Sequence, residues 1–469
     1  MDTILNGLNS VNDVLWTYIL VVVLIGCGIW FTIKTKFVQF TMLGEMVRLL
    51  GDNKKAKNEE TGKKHISSLE AFFVSIATRI GTGNLAGVAT AIAVGGPGAV
   101  FWMWVVALLG SCSAFIESTL AQLYKEKSED SFIGGPAYYI KKGLKSPKMA
   151  VLFAVLLIFT FPLAFTSVQS NTICEAFSTA FGTDGLIIGI ILTICTLVII
   201  FGGISRIAKI SSIIVPIMAI GYLSIALFVI ILNIENIPYI FKLIVSDAFG
   251  FEQALGGGIG MAMIQGIKRG LFSNEAGMGS APNVAATANV SHPVKQGLIQ
   301  TLGVFTDTLI VCTCTAFIIL CSGVYQSGNL NGIQLTQSAL NTQIGDIGTI
   351  FVAIAILFFA FSSVLGNYYY GEANLRFITS NKKVMFIFRL STAAMVMFGA
   401  LVSLDVAWAL ADVFMGLMTL CNIVAICYLG KYAIRLLEDY RRQRREGVKS
   451  PIFKKESLPD IADDIECWD

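Results

Sequence analysis

Long apolar stretches alternate with short polar ones through most of the chain. A run of about 20 apolar residues is long enough to cross a membrane as a helix. The pattern therefore predicts an all-α membrane protein with eleven transmembrane helices. Their expected bounds are 14–33, 69–95, 98–124, 149–168, 185–204, 210–234, 257–290, 297–323, 348–374, 384–403 and 406–433.

Two of these spans carry polar residues and glycines where a helix tolerates them least. The second span contains ATRIGTGN at 77–84, and the seventh, 257–290, contains many glycines, two cations, an asparagine and a glutamate. A broken helix bares backbone N–H and C=O groups, which persist in a membrane only if they are buried in protein or line a cavity. Bare amides suit a carboxylate, whereas bare carbonyls suit a cation or an ammonium. Both interruptions therefore predict discontinuous helices that form a binding site.

The position of the two interrupted spans predicts an internal repeat. Five spans run from the second span to the sixth, and five more run from the seventh to the end. An odd number of spans per half inserts the second half upside down relative to the first, as in inverted-repeat transporters. The predicted units are an N-terminal part with an extra helix and a basic loop, two inverted five-helix repeats and a cytoplasmic tail, at 1–68, 69–234, 257–433 and 434–469.

Composition and charge agree with a multi-pass membrane protein. Of 469 residues 55% are hydrophobic and 14% are charged, against about 25% charged in soluble domains. Thirty of the 34 Lys and Arg residues lie in alternate loops and in the tail, while the opposite loops hold only Lys242. The positive-inside rule then predicts an external N-terminus and a cytoplasmic C-terminus. We interpret the basic tail as a solvated helix end and not as a segment that binds lipid or nucleic acid. The lipid bilayer is the expected partner of the apolar spans, and no nucleic acid is expected.

Histidine and cysteine usage argues against a metal centre or a prosthetic group. The two histidines, His65 and His292, fall in predicted cytoplasmic loops, and the ten cysteines are scattered without a C-x-x-C pair. Zinc binding, haem ligation and a histidine proton relay inside the membrane are therefore not expected. The sequence predicts no cofactor.

Three cations lie inside predicted spans, where an unpaired charge is costly. They are Arg79, Lys268 and Arg269. An ion-pair network is one interpretation, and direct contact with a substrate is the other. Asp307 is either a cation ligand or a partner of one of the arginines. The candidate counter-charges are Glu117, Glu275, Asp307 and Glu372.

Hydroxyl, amide and aromatic side chains supply further candidates. The ninth span contains FAFSSVLGN with Ser362 and Ser363. Such hydroxyls often bond to their own backbone, but beside bare carbonyls they would provide the oxygen ligands that hard cations require. Phe165 and Gln169 lie one turn apart on one face of the fourth span, which suits either packing or a pocket wall.

Three stretches resemble a known family. GGPGAVFWMWVVALLG at 95–110 resembles the signature of the alanine/glycine:cation symporters, also called sodium:alanine symporters, and the resemblance covers about 14–433. GTGNLAGVATAI and RGLFSNEAGMGSAPNVA are similar to two further stretches of that family. The resemblance implies secondary transport of alanine and glycine driven by sodium, with proton coupling as the alternative. It also implies a leucine-transporter-like fold, in which the two discontinuous helices cross near the midplane.

The resemblance also implies roles for individual residues. Carbonyls of Ala77 and Ile80, with Ser362 and Ser363, would bind sodium. Amides of the first break would receive the substrate carboxylate, and carbonyls of the second break, expected between Gln265 and Asn274, would face its ammonium. Asn84 would hold either substrate or a second sodium. The expected substrate site comprises Thr78, Gly81, Thr82, Gly83, Asn84, Phe165, Gln169, Gly270, Phe272 and Asn274.

The leading hypothesis is a sodium-coupled symporter of alanine and glycine in the cell membrane. Phe165 and Phe272 are expected to wall a small pocket, so leucine should not compete with alanine. A passive channel is the rival, since broken helices also line pores. An enzyme is not expected, because a membrane-embedded hydrolase would have only Ser362 and Asp307 as crude candidates.

Overall fold

The computed structural model describes residues 2–51, 66–128, 132–202, 204–250 and 258–468. His65 lies outside these described residues. The described chain is almost entirely helical, apart from one small hairpin in which β1 (Glu126–Lys127) pairs antiparallel with β2 (Phe132–Ile133). The helices are α1 (2–34), α2 (Val38–Thr41), α3 (Leu43–Leu50), α4 (Ser68–Arg79), α5 (Gly83–Gly95), α6 (Ala99–Leu123), α7 (Pro136–Gly143), α8 (Pro147–Phe181), α9 (Gly185–Ile200), α10 (Ile204–Leu232), α11 (Ile237–Ala248), α12 (Gly258–Asn274), α13 (Pro282–Ala285), α14 (Val294–Ser322), α15 (Gly332–Ile344), α16 (Asp346–Ile378), α17 (Lys382–Leu401) and α18 (Leu404–Arg445).

Within the described residues, seven helices are long and apolar enough to cross a membrane: α1, α6, α8, α14, α16, α17 and α18. An eighth span results if Pro216–Leu232 and Ile234–Ala248, which meet at 77°, are one bent helix. Helices α5 and α9 are apolar but shorter. The all-helical class is confirmed, whereas the number eleven and the inverted repeats stay predictions.

The predicted break in the second span lies between α4 and α5. Ser67 begins α4 with a capping box, in which its hydroxyl accepts from the Glu70 N–H and the Glu70 carboxylate accepts from the Ser67 N–H. At Ile80 the backbone becomes extended, with φ −74° and ψ 97°. The chain resumes as a π-helical turn at Gly83–Gly87. Such wide turns are frequent at functional sites.

The second break lies further along the chain than the sequence indicates. Helix α12 is continuous through Asn274, so the expected break between Gln265 and Asn274 is wrong in position. The chain leaves the helix at Glu275, whose φ is +56°, and turns through Gly277 and Gly279, at +87° and +86°. The short helix α13 follows this irregular segment.

Glycines in α12 serve close packing instead of a break. A Cβ at Gly270 would lie 2.6 Å from Val106 Cγ1, and one at Gly266 would clash with the Ala99 carbonyl oxygen. Both neighbours belong to α6, so the two helices approach closely along this line. Gly270, expected in the substrate site, therefore lies at the interface between α12 and α6.

One side of the molecule, which we call the basic face, carries α3, α7, the chain between α13 and α14, and residues 446–468. There Ile66, just before α4, pairs with Ala288, just after α13. The basic run at 441–449 is exposed or partly exposed, as expected of a solvated helix end, but the residues that follow it pack against the protein. They bury five apolar side chains, Phe453, Leu458, Ile461, Ile465 and Trp468.

Candidate functional site

The carbonyl of Ala77 lies at the centre of the first break. In an uninterrupted helix it would accept from the Gly81 N–H, but that N–H donates to Asn84 Oδ1 at 3.0 Å. The Ala77 oxygen instead accepts from the hydroxyls of Ser362 and Ser363, at 3.3 and 3.2 Å. The break is thus joined directly to the middle of α16.

The oxygen atoms gathered here suit a hard monovalent cation. Both serine hydroxyls also reach the Phe359 carbonyl of their own helix, at 2.8 and 3.1 Å, so they do bond to their own backbone, and their role as cation ligands stays a prediction. The extended backbone at Ile80 turns a further carbonyl out of the helical direction. Neutral carbonyl and hydroxyl oxygens are ligands that hard cations accept.

Gln169 of α8 satisfies the amide that follows the bend. Its Oε1 accepts from the Thr82 N–H at 3.0 Å and from the Thr82 hydroxyl at 2.7 Å. A Cβ at Gly81 would clash with Ser363 Oγ and approach Gln169 Oε1 to 3.1 Å, so only glycine fits there. The Gln169 oxygen therefore lies against the Thr82 amide, in the position that a carboxylate oxygen of a ligand could take.

Asp307 joins the two broken helices. It lies in the π-helical segment Phe305–Cys312 of α14 and is fully buried. Its carboxylate accepts from Asn84 Nδ2 at 2.6 Å, from the Ser273 hydroxyl at 2.7 Å and from the Thr308 hydroxyl at 2.9 Å. Asn84 follows the first break and Ser273 precedes the second. One acid thus fixes the distance between the two broken helices.

Aromatic rings line the same region. The Phe165 and Phe272 rings lie 4.2 Å apart, and Phe272 meets Trp408 at 4.6 Å in an edge contact. A Cβ at Gly83 would lie 3.0 Å from Phe272 Cδ1 and 3.0 Å from Ser273 Cα. The two predicted wall residues therefore lie together and against the first break.

Two of the three intramembrane cations, Lys268 and Arg269, have a counter-charge that the sequence interpretation missed. Arg269 and Lys268 both pair with Asp412 of α18, the lysine at 3.4 Å, and the guanidinium lies 4.0 Å from the Trp408 ring. Glu372 pairs with Arg376 instead. Asp412 is the one charged residue in the apolar stretch 406–430 of α18, and this was the available signal.

Neither Arg79 nor Arg269 forms an ion pair with Asp307 within the described residues, so the interpretation of Asp307 as the partner of an arginine is wrong. Arg79 is 2% exposed and donates from Nη1 to the Gln300 carbonyl at 3.3 Å. No described residue accepts a hydrogen bond from its Nε or Nη2 atoms. Arg79 therefore places a positive charge beside the first break without a direct ion pair among the described residues, while the carboxyl groups of Glu117, Glu275 and Asp307 lie near enough to act on it electrostatically.

Glu117 of α6 anchors the second break and pairs with no cation in the part of the chain that the structure describes. Its Oε1 accepts from the Gly277 N–H at 3.2 Å, and its Oε2 accepts from Asn422 Nδ2 at 2.7 Å. Asn422 also donates to the Gly277 carbonyl at 2.9 Å. The second break thus has a fixed acid and a fixed amide around its central glycine.

The remaining predicted residues lie at the edges of the site. The Thr78 hydroxyl bonds to the Ser75 carbonyl and lies 2.8 Å from the Tyr370 hydroxyl. Asn274 Oδ1 accepts from the Ala276 N–H at 3.0 Å, while its Nδ2 has no partner among the described residues. Sequence reasoning missed Ser273, Trp408 and Tyr370. Their residue types are common in membrane helices, and only their tertiary contacts place them at the site.

The sequence and the fold of this chain are similar to those of known membrane transporters. The model of the sodium:alanine symporter family matches residues 1–455. A protein of Bacillus subtilis named as a probable sodium/glutamine symporter, GlnT, is 51% identical, over 97% of this chain and 94% of its own. The sodium/alanine symporter AgcS of Methanococcus maripaludis is 36% identical, over 94% of this chain and 98% of its own. The solved structure of MhsT with L-phenylalanine covers 80% of this chain and 99% of its own with a TM-score of 0.57, which at 14% identity shows the fold alone.

Proposed function

Because the chain belongs to the sodium:alanine symporter family, a family of transporters and not of enzymes, we propose that it imports alanine and glycine together with sodium by alternating access. The observation that carries the proposal is the Ala77 carbonyl, released from its helix and bonded to two hydroxyls of α16. Such a cluster of neutral oxygens between separate helices suits a cation that holds them together.

The proposed topology has eleven spans, with α1 outside two inverted five-helix repeats. The basic face is the cytoplasmic one, by the positive-inside rule, and the N-terminus is external, in the cell membrane. The two breaks then lie near the midplane, where inverted-repeat transporters bind their substrates. Their approach through Asp307 supports this assignment.

Sodium would bind to Ala77, Ile80, Ser362 and Ser363. It would stabilise the conformation in which α4 and α16 are close, which is also the one that presents the bare amides. Substrate binding would in turn favour the conformation that binds sodium. Such coupling is reciprocal by thermodynamic necessity.

The substrate carboxylate would bind the amides of Gly81 and Gly83, near Thr82 and Gln169. Its ammonium would face carbonyls of the second break, now placed after Asn274. The side chain would contact Phe165, Phe272 and Trp408, whose close packing supports a small substrate.

Uptake into proteoliposomes tests the coupling ion. We expect concentrative alanine uptake that depends on sodium and is lost when choline replaces it. A proton gradient without sodium should not support uptake, and proton-driven uptake would favour the alternative ion. Equilibration without accumulation would favour a channel.

A double substitution tests the sodium site. Ser362→Ala with Ser363→Ala should raise the sodium concentration for half-maximal uptake by at least about tenfold, since two of four ligands are lost. Ser391→Ala is the matched control, because this hydroxyl bonds to the Phe388 carbonyl of its own helix. An unchanged sodium response in the double variant would remove these serines from the site.

Competition tests the substrate class. Glycine should compete with labelled alanine, and leucine should not. Glutamine is an informative third competitor, because a relative at 51% identity is named a probable sodium/glutamine symporter. Equal competition by leucine would contradict the small pocket. Competition by glutamine and glycine, but not by leucine, would extend the substrate range to polar side chains.

A further inference from the structure

The end of the chain forms a packed segment on the basic face. We call residues 450–468 the C-terminal strap. It follows the long helix α18 and buries apolar side chains, with Phe453 3% exposed and Trp468 8% exposed. Ile452, the neighbour of Phe453, is 59% exposed. The alternation shows that the strap has a specific inner side that packs against the protein.

The first anchor of the strap lies on the chain that follows α13. The Phe453 N–H donates to the Ser291 carbonyl at 2.9 Å, and the Ser291 hydroxyl donates to the Pro451 carbonyl at 2.7 Å. The Phe453 ring also lies 5.7 Å from the His292 ring. Backbone and side-chain contacts thus fix the strap to the segment that leads out of the second broken helix.

The second anchor lies at the end of α6. Trp468 Nε1 donates to the Gln122 carbonyl at 3.1 Å, and the Lys125 ammonium lies 4.5 Å from the Trp468 ring. Gln122 Nε2 and Lys125 Nζ both donate to the Ala288 carbonyl, at 2.9 and 3.3 Å. Trp468 therefore covers the two side chains that hold Ala288 in place.

Ala288 in turn contacts the start of the first broken helix. It pairs with Ile66, and the Asn289 N–H donates to the Ile66 carbonyl at 3.0 Å. The inner halves of both broken helices, α4 and α13, therefore meet at one point of the basic face. The strap contacts this point from two sides, at Ser291 and through Gln122.

We propose that the C-terminal strap stabilises the closed state of the basic face, by binding the joined ends of the two broken helices and not the separated ones. A segment that binds one conformation better than another shifts the population towards it by its differential affinity. Opening of this face would have to separate Ile66 from Ala288 and would weaken both anchors. The proposal rests on the proposed function only where it concerns transport, because docking can be measured without it.

Hydrogen exchange of the full-length protein tests the inference. Phe453→Ala and Trp468→Ala should each increase deuterium uptake at 66–79 and 282–293 by on the order of fivefold in rate, within the usual range of coupling between sites. Ile452→Ala is the matched control and should change nothing there. Helix α15, which the proposed topology places on the external side, should exchange at the wild-type rate in all variants.

The outcomes separate the inference from its alternatives. Faster exchange confined to the two inner segments supports it, as does a faster sodium-dependent exchange of internal for external alanine in the same variants. Unchanged exchange at 66–79 and 282–293 would overturn it, and so would equal acceleration in α15, which would show general destabilisation. If wild-type protein transports no alanine with sodium, the proposed function fails, while the exchange result still decides the role of the strap.

Discussion

The two breaks lie in the same region of the molecule, but different features of glycine allow each of them. The first break contains glycines whose backbone is ordinary but whose surroundings leave no room, since Gly81 faces Ser363 and Gln169. The second break turns through Gly277 and Gly279 with positive φ and has an acid, Glu117, at its centre. The first break therefore depends on close approach, and the second on backbone conformation.

This difference assigns different tasks to the two breaks. At the first break, the side-chain oxygens of Asn84 and Gln169 satisfy the amides of Gly81 and Thr82, in positions that the oxygens of a ligand could take. At the second break, Glu117 and Asn422 hold the backbone on both sides of Gly277. We infer that the first break exchanges ligands while the second preserves its shape.

The largest expected effect is that of Gly81→Ala. A methyl group there would push Ser363 and Gln169 away from the break, and displacements of this size at a binding site cost about a hundredfold in rate. We expect alanine uptake to fall by about that factor with little loss of thermal stability. Gly87→Ala is the matched control, because its Cβ would meet no atom nearer than 3.7 Å. Equal loss in both variants would contradict the close-approach argument.

Glu117→Ala should act on stability first. It leaves the Gly277 N–H and one of the two N–H groups of the Asn422 amide without an acceptor, and buried donors without partners cost about 1–3 kcal/mol each. We expect a clear fall in the unfolding temperature of the purified protein. Glu117→Gln keeps an acceptor and should lose much less. If both variants unfold at the wild-type temperature, Glu117 does not hold the second break.

Gly277→Ala tests the conformational part of the comparison. An alanine at φ +87° costs about 1–2 kcal/mol relative to glycine, so the free energy of unfolding should fall by about that amount. Gly260→Ala is the control, since it lies in α12 with no atom within 4 Å of its Cβ. There alanine should be neutral or slightly stabilising. A variant at 277 as stable as wild type would show that the turn tolerates a side chain.

The smallest expected effect is a pH dependence at the basic face. Burial lowers the pKa of Lys125 from 10.5 to about 7, and the Cys467 thiol opposes this weakly. Release of Trp468 would return Lys125 to water, so between pH 7 and 10.5 the undocked strap binds a proton that the docked one lacks. Raising the pH in this window therefore favours docking, by no more than about 1.4 kcal/mol per unit.

Exchange measurements corrected for the intrinsic pH effect can detect this trend. Protection of 282–293 should increase from pH 7.5 to 8.5, and protection of 66–79 should increase less, because Lys125 contacts Ala288 directly. Lys125→Met should abolish the trend. A trend of opposite sign would show that the contact with the Trp468 ring, and not burial, controls the charge.

The apolar pattern predicts the all-helical class, because membrane length and hydropathy act locally, whereas the count of eleven spans stays a prediction beside the seven or eight that the described residues contain. The first break was also predictable, since Arg79 and Asn84 accompany its glycines. The second break was misplaced because Gly270 and Gly277 look alike in sequence. Only contact with α6 shows that one of them packs and the other turns.

Pairing between distant side chains was the least predictable part of the site. Asp412 neutralises Arg269 across 143 positions of sequence, and Asp307 bonds to Asn84 and Ser273 instead of an arginine. Composition identifies such charges as costly, but the choice of partner depends on helix rotation and tilt. These are set by packing, which a single sequence does not reveal.

At the proposed substrate site, a ligand that binds to Thr82 would have to replace the hydrogen bonds of the Gln169 carboxamide. Its oxygen already accepts from both Thr82 donors. A ligand that bound to Thr82 would therefore add only the difference in free energy between its own hydrogen bonds and those of Gln169 that it replaces. A charged carboxylate forms stronger bonds than a neutral amide oxygen, whereas the amide of an amino acid would offer nothing better. At the proposed substrate site, Gln169 would thus compete with the ligand and favour one that carries a negative charge, whatever its side chain.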